Sequence, residues 1–98
     1  MVIIYSKSTG RIQSVFSGEL QTIDTLYGVD AEDFKIIWDE LVLPDDVGVI
    51  RNPEKFIVNT ETKELELLPE YAFNPQNYKV AKKSELINTK AGDEDGII

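Results

Sequence analysis

The chain has no cysteine and no histidine. Without thiols there is no disulfide, no thiolate nucleophile and no zinc finger, and without imidazole there is no ready general base near neutral pH. A metal would have to be held by oxygen alone, which limits the choice to calcium- or magnesium-like ions. The absence of cysteine leaves the redox compartment open. Tryptophan and methionine occur once each. No window approaches the roughly 18 consecutive apolar residues of a membrane-spanning helix, so no membrane partner is expected. The opening MVIIYSKS lacks the basic start and long apolar run of a secretory signal, which favours synthesis in the cytosol.

Basic residues are also scarce in one long stretch. Between Glu19 and Val49 lie Glu19, Asp24, Asp30, Glu32, Asp33, Asp39, Glu40, Asp45 and Asp46, against a single base, Lys35. The net charge of −8 sits entirely in that segment, because acids and bases balance in the remainder. Direct nucleic-acid binding is not expected, since phosphate contacts need a basic face. Two readings of the acidic stretch stay open: a solvated face that aids solubility, or a surface matched to a basic partner, including a mimic of nucleic-acid phosphate.

What is present describes a single small domain. A chain of 98 residues buries roughly 60–68% of its unfolded surface, enough for one modest core. Hydrophobic residues at 42% and charged residues at 29% are ordinary for a globular protein. Val2–Ser6 is β-branched and aromatic, as a strand should be. Lys7-Ser8-Thr9-Gly10 supplies a turn in which Gly10 is free to take a positive φ where a bulged hairpin loop needs it. Arg11–Ser17 returns as the partner strand, with Ile12 and Phe16 on one face and Gln13 and Val15 on the other. A second hairpin reads from Phe56–Asn59 through Thr60-Glu61-Thr62-Lys63 to Glu64–Leu68, with Leu65 and Leu67 inward and Glu64 and Glu66 outward.

The region between the hairpins changes period. Leu20, Ile23, Leu26 and Tyr27 are at helical spacing and Gly28 is a stop. Asp30 reads as an N-cap before an apolar stripe of Phe34, Ile37 and Trp38. Trp38 is read as a core anchor, with a partner hot spot as the alternative. Trp38–Leu43 alternates as a strand closed by Pro44, and Val47–Ile50 reads as a short strand or an extended connector. The expected fold is α+β: a small antiparallel or mixed sheet built on two β-hairpins, with one or two short helices on one face. The compact part spans 1–69, with the helical insert at 19–37.

Residues 70–98 are expected to form an extended C-terminal arm. Tyr71, Phe73 and Tyr78 lie there among prolines and amides, either folded back on the sheet or presented to another chain. Asn52-Pro53 and Asn74-Pro75 open two segments of spacing NPxx(F/Y)xV, read as turns feeding extended chain. Val80–Asn88 reads as one more short helix or strand, and 91–96 as an acidic tail.

No catalytic constellation stands out. Asp45-Asp46, Asp30/Asp33 and Asp39-Glu40 are carboxylate pairs, but general acid–base work needs two carboxyls converging in a cleft. Asp93-Glu94-Asp95-Gly96 resembles the start of a calcium loop whose closing glutamate is missing. There is no glycine-rich phosphate loop and no GxSxG elbow. No enzyme activity, cofactor or metal is expected.

The opening MVIIYSKSTGRIQSVFSG resembles the start of many short, poorly characterised proteins of tailed bacteriophages and prophages, which begin with an (I/V)IYxKxTGxI hairpin and lie in virion or tail-module regions. FIVNTETKELEL is similar to the VxxETKEL hairpin of the same kind of protein. Together the two cover about 30 of the 98 residues. The resemblance implies a non-enzymatic virion protein of the tail, baseplate, connector or decoration type, whose partners are other virion proteins or further copies of itself. The alternative is a small acidic phage inhibitor of a host nucleic-acid-handling protein. Partner contacts are expected at Tyr71, Phe73 and Tyr78, and at Asp30, Asp33, Asp45 and Asp46.

Overall fold

The β-branched run at the N-terminus becomes the most deeply buried part of the protein. The computed structural model describes residues 1–72 and 78–82. In it β1 (Val2–Ser6) is the middle strand of a three-stranded antiparallel sheet, flanked by β2 (Ile12–Phe16) and β3 (Trp38–Val42). Val2, Ile3, Ile4 and Tyr5 are all buried, so β1 is covered on both faces. One cover is helical. α1 (Ile23–Tyr27), a 3-10 turn at Gly28–Asp30 and α2 (Ala31–Phe34) pack Ile23 and Ala31 against Val2 and Ile4. The other cover is the hairpin of β4 (Phe56–Asn59) and β5 (Glu64–Leu67), together with α3 (Val47–Arg51). Val49, Phe56, Val58 and Leu67 meet Met1, Ile3 and Tyr5 there. At about 1.5–3 kcal/mol for each large buried apolar side chain, these two clusters are the main source of stability. The fold is a small α+β fold, and no helix among the described residues is long and apolar enough to cross a membrane.

Gly10 joins the two hairpins. It takes φ +79, as its place in the turn requires, and its carbonyl accepts from the Val58 N–H at 2.9 Å. A Cβ at this position would lie 1.9 Å from the Val58 oxygen, so only glycine permits the approach. The antiparallel bridge Arg11–Ile57 follows directly. The strand order thus runs β3-β1-β2, crosses by that bridge to β4-β5, and ends where Leu67 bridges Val80.

Several expectations need correction. Ile12 and Phe16 do not share a face. Ile4 pairs with Ser14 but Tyr5 with Ile12, so Gln13 is an extra residue in β2. The bulge turns Ile12 to join Val15 against the hairpin-side cluster, while Phe16 faces the helices. Glu66 does not point to solvent: it is 2% exposed. Lys79–Ala81 lies alongside β5, with Leu67 N–H donating to the Lys79 oxygen at 2.7 Å and Ala81 N–H donating to the Leu67 oxygen at 2.9 Å. This covers Glu66 while leaving Glu64 exposed.

Val47–Ile50 is neither a strand nor a connector but belongs to α3. Valine and glycine are poor helix formers, yet Asp46 caps the turn and Val49 is fully buried beneath it. Asp30 makes no capping hydrogen bond, because the 3-10 turn leads straight into α2. Leu20 precedes α1 instead of lying on it, and Ile37 follows α2; both are exposed. Trp38 is half-buried at the margin of the helical cluster. Phe73, residues 74–77 of the second NPxx segment, residues 83–88 and the acidic stretch 91–96 lie outside the described residues.

Candidate interaction surface

The helical insert is built as a unit. Thr22 Oγ1 accepts from the Thr25 N–H at 3.3 Å and Thr25 Oγ1 accepts from the Thr22 N–H at 2.7 Å, a reciprocal cap on α1. Glu40 Oε1 accepts from the Ile23 N–H at 2.9 Å, fastening the start of α1 to β3. Tyr27 and Phe34 stack at 3.9 Å between ring centroids. Lys35 reaches Asp24 at 2.8 Å and Glu32 at 3.3 Å, and these two carboxylates, Asp24 foremost, raise its pKa.

The one base of the acidic segment is thereby engaged. Asp30 and Asp33 are exposed and form no ion pair among the described residues. Beside them the insert and its flanks leave large aliphatic side chains in water: Val29 is 98% exposed, Leu20 83%, Ile36 74% and Ile37 56%. Exposed leucines or valines scattered singly are ordinary; the acidic segment from Glu19 to Val49 carries six such side chains, Val47 at 63% and Val42 at 47% being the other two.

Asp45 and Asp46 have internal partners. Asp45 receives the Met1 amine at 2.7 Å, the Ser17 hydroxyl at 2.6 Å and the Gly18 N–H at 3.0 Å. These donors, the amine foremost, hold its carboxyl well below the usual carboxylate range. Asp46 accepts from the Gly48 N–H at 2.9 Å and the Val49 N–H at 3.3 Å, and Tyr78 donates its hydroxyl to the same carboxylate at 3.2 Å. A Cβ on Gly48 would lie 2.8 Å from that hydroxyl, so the glycine makes room for it. Burial, then the Asp46 charge, raises the Tyr78 pKa.

Tyr78 folds back, with its ring edge-on to Phe56 at 4.9 Å. Tyr71 stays partly exposed, with the Lys55 ammonium 5.7 Å from its ring centroid. A cleft of about 340 Å³ lies between Leu43–Asp46 and Leu65, Tyr78 and Lys79. Asp46 and Tyr78 bond across it, and Lys79 turns to Glu64 at 2.7 Å. The structure therefore brings Asp45, Asp46 and Tyr78 together as a seam at the C-terminal side of β3. It leaves Asp30 and Asp33 on the separate helical surface.

A third cluster has no signal in local sequence. Lys63 takes φ +62 at the end of the β4–β5 turn, a left-handed conformation that costs a non-glycine residue about 1–2 kcal/mol. Its ammonium donates to the Tyr5 hydroxyl at 3.2 Å and lies 3.6 Å from Asp39, to which Tyr5 donates at 3.3 Å. The Tyr5 hydroxyl, with the Asp39 charge behind it, raises the Lys63 pKa. The three residues tie the hairpin turn to β3. Glu66, expected outward, also has internal partners: it accepts from Asn59 Nδ2 at 3.2 Å and faces Lys79 Nζ at 3.6 Å. Comparison with known protein families, with curated proteins and with solved structures finds no match to the chain.

Proposed function

We propose that this chain is a non-enzymatic structural component of a tailed-phage particle, acting through protein–protein contacts made by its helical insert. The observation that carries the contact role is the exposure of Leu20, Val29, Ile36 and Ile37 among the carboxylates of the acidic segment. Such a surface suits a partner that offers apolar pockets inside a basic rim. The phage setting rests on the resemblance of the two hairpins, whose shared features include Gly10 at the junction and Lys63 in the second turn. The lack of histidine and cysteine supports a role without catalysis. Replacing Val29 and Ile36 together by serine should leave the circular dichroism spectrum unchanged and reduce incorporation into particles about tenfold or more. Full incorporation of a folded double variant would overturn the role given to the insert.

A second reading is favoured by the two exposed, unneutralised carboxylates Asp30 and Asp33: an acidic inhibitor that occupies a basic site on a host nucleic-acid-handling protein. Reversing both charges should then abolish binding, and binding should weaken steeply with added salt. Binding indifferent to salt would dismiss that reading. Asp45 and Asp46 do not belong in the test, because reversing them would break the fold's own contacts.

A further inference from the structure

We propose that the outer edge of β3 is a docking site for an extended, basic segment of a partner protein, which adds to the sheet as a further strand. The proposal deepens the protein-contact reading above and rests on it. Terminal strands expose a row of backbone donors and acceptors, and folds normally cover them. Here the Arg11–Ile57 bridge, just before β2, ties the start of that strand to β4, and the Leu67–Val80 bridge covers part of β5. Among the described residues, β3 pairs only with β1.

The hydrogen-bond phase shows which groups face outward. Met1 and Leu43 exchange backbone bonds, and the Lys7 N–H donates to the Ile37 oxygen at 2.9 Å. Antiparallel pairing alternates, so Ile37, Asp39, Leu41 and Leu43 address β1 while Trp38, Glu40 and Val42 turn their backbone groups away from it. The Glu40 N–H is covered by its neighbour, Asp39 Oδ1, at 2.8 Å. An incoming carbonyl has to displace that oxygen at the centre of the strand.

Side chains define the occupant. Trp38, Glu40 and Val42 pair with Ser6, Ile4 and Val2, so they share the helical face of the sheet. Val42 is 47% exposed, and the exposed Ile36 and Ile37 precede the strand at its other end. A strand laid along this edge meets an apolar, an acidic and an apolar position in turn. Its complement carries an apolar, a lysine or arginine, and an apolar residue at alternate positions. A second copy fits poorly, because antiparallel pairing centred here sets Glu40 against Glu40.

The test uses the full chain, isotope-labelled, and two short blocked peptides with threonine spacers. One has valine, lysine and valine at alternate positions; the other has glutamate in place of the lysine. The lysine peptide should shift the Trp38, Glu40 and Val42 amides and slow their exchange. The glutamate peptide should bind about tenfold more weakly or worse. Glu40→Gln keeps the oxygen that holds the Ile23 N–H and should narrow the preference between the peptides. If the lysine peptide leaves these three amides unchanged up to about 1 mM, or perturbs another surface instead, the docking site is overturned. Failure here with normal particle incorporation removes the β3 edge alone. Loss of incorporation in the Val29/Ile36 variant, by contrast, bears on the helical insert.

Discussion

Asp46→Ala separates a structural carboxylate from a partner-binding one. The native side chain caps α3 through the Gly48 and Val49 N–H groups and accepts from the Tyr78 hydroxyl. Loss of an N-cap costs about 0.5–2 kcal/mol. Loss of the tyrosine bond, between half-buried groups, adds about 0.5–1 kcal/mol. The variant should therefore lose about 1–3 kcal/mol in urea unfolding, which lowers the Tm by about 4–8 °C for each kcal/mol in a domain of this size. Asp46→Asn keeps an acceptor for both N–H groups and should lose less than half as much. Tyr78→Phe should cost about 0.5–1 kcal/mol alone and add less than that to Asp46→Ala, because the two changes remove one shared bond. Burial and the Asp46 charge together raise the Tyr78 pKa above its ordinary 10.0, so Asp46→Ala should also lower the pH at which Tyr78 ionises, read by phenolate absorbance against Tyr78→Phe. An Asp46→Ala protein within about 0.5 kcal/mol of the parent, the usual range for surface changes, would refute the cap and return Asp46 to the candidate contact residues.

Gly10→Ala should destabilise by about 2–4 kcal/mol, from an unfavourable positive φ and a Cβ driven into the Val58 carbonyl; hydrogen exchange at Val58 should accelerate with it. An alanine variant of unchanged stability would contradict the close approach. Glu66→Ala should cost about 1–2 kcal/mol in urea unfolding, whereas Glu64→Ala stays within about 0.5 kcal/mol; equal effects would mean that the strand presents both to solvent. Asp45 supplies a pH dependence. Its folded carboxyl lies below the ordinary value of 3.8, so its contribution is intact above that value and fades as the pH falls below it. The urea-midpoint gap between the parent and Asp45→Asn should be constant between about pH 5 and 7 and narrow below 3.8; a gap that widens toward acid would contradict the amine–carboxylate pairing.

Local chemistry explains which parts of this fold are legible in the sequence. β1, the Lys7–Gly10 turn and the second hairpin follow from β-branched runs separated by turn residues, and α1 ends at Gly28 as its pattern requires. What the pattern misses is settled by contacts far apart in the chain. Glu66 alternates as an outward residue, but Lys79 and its neighbours cover it. Val47–Arg51 has strand-like composition, yet the Asp46 cap and the burial of Val49 make it helical. The bulge at Gln13 moves Ile12 across the strand without any mark in the residue types. The candidate contact residues divide in the same way. Exposure of Asp30 and Asp33 follows from their charge and their place in the acidic helical insert, whereas the partners of Asp45, Asp46 and Tyr78 appear only once Met1, Ser17 and α3 are in position.

The notion of an aromatic arm changes accordingly. Tyr78 and Ala81 are part of the packed body, so a deletion beginning at residue 70 removes fold contacts, while a truncation after Lys82 spares every contact described above.

The proposed particle role is tested most directly by quantitative mass spectrometry of purified particles made by the genome that encodes the chain. The proposal predicts the protein in many copies, in constant ratio to the other virion proteins across preparations and retained through salt washes. Abundant protein in the infected cell with none in the particles would contradict it and leave the inhibitor reading in its place.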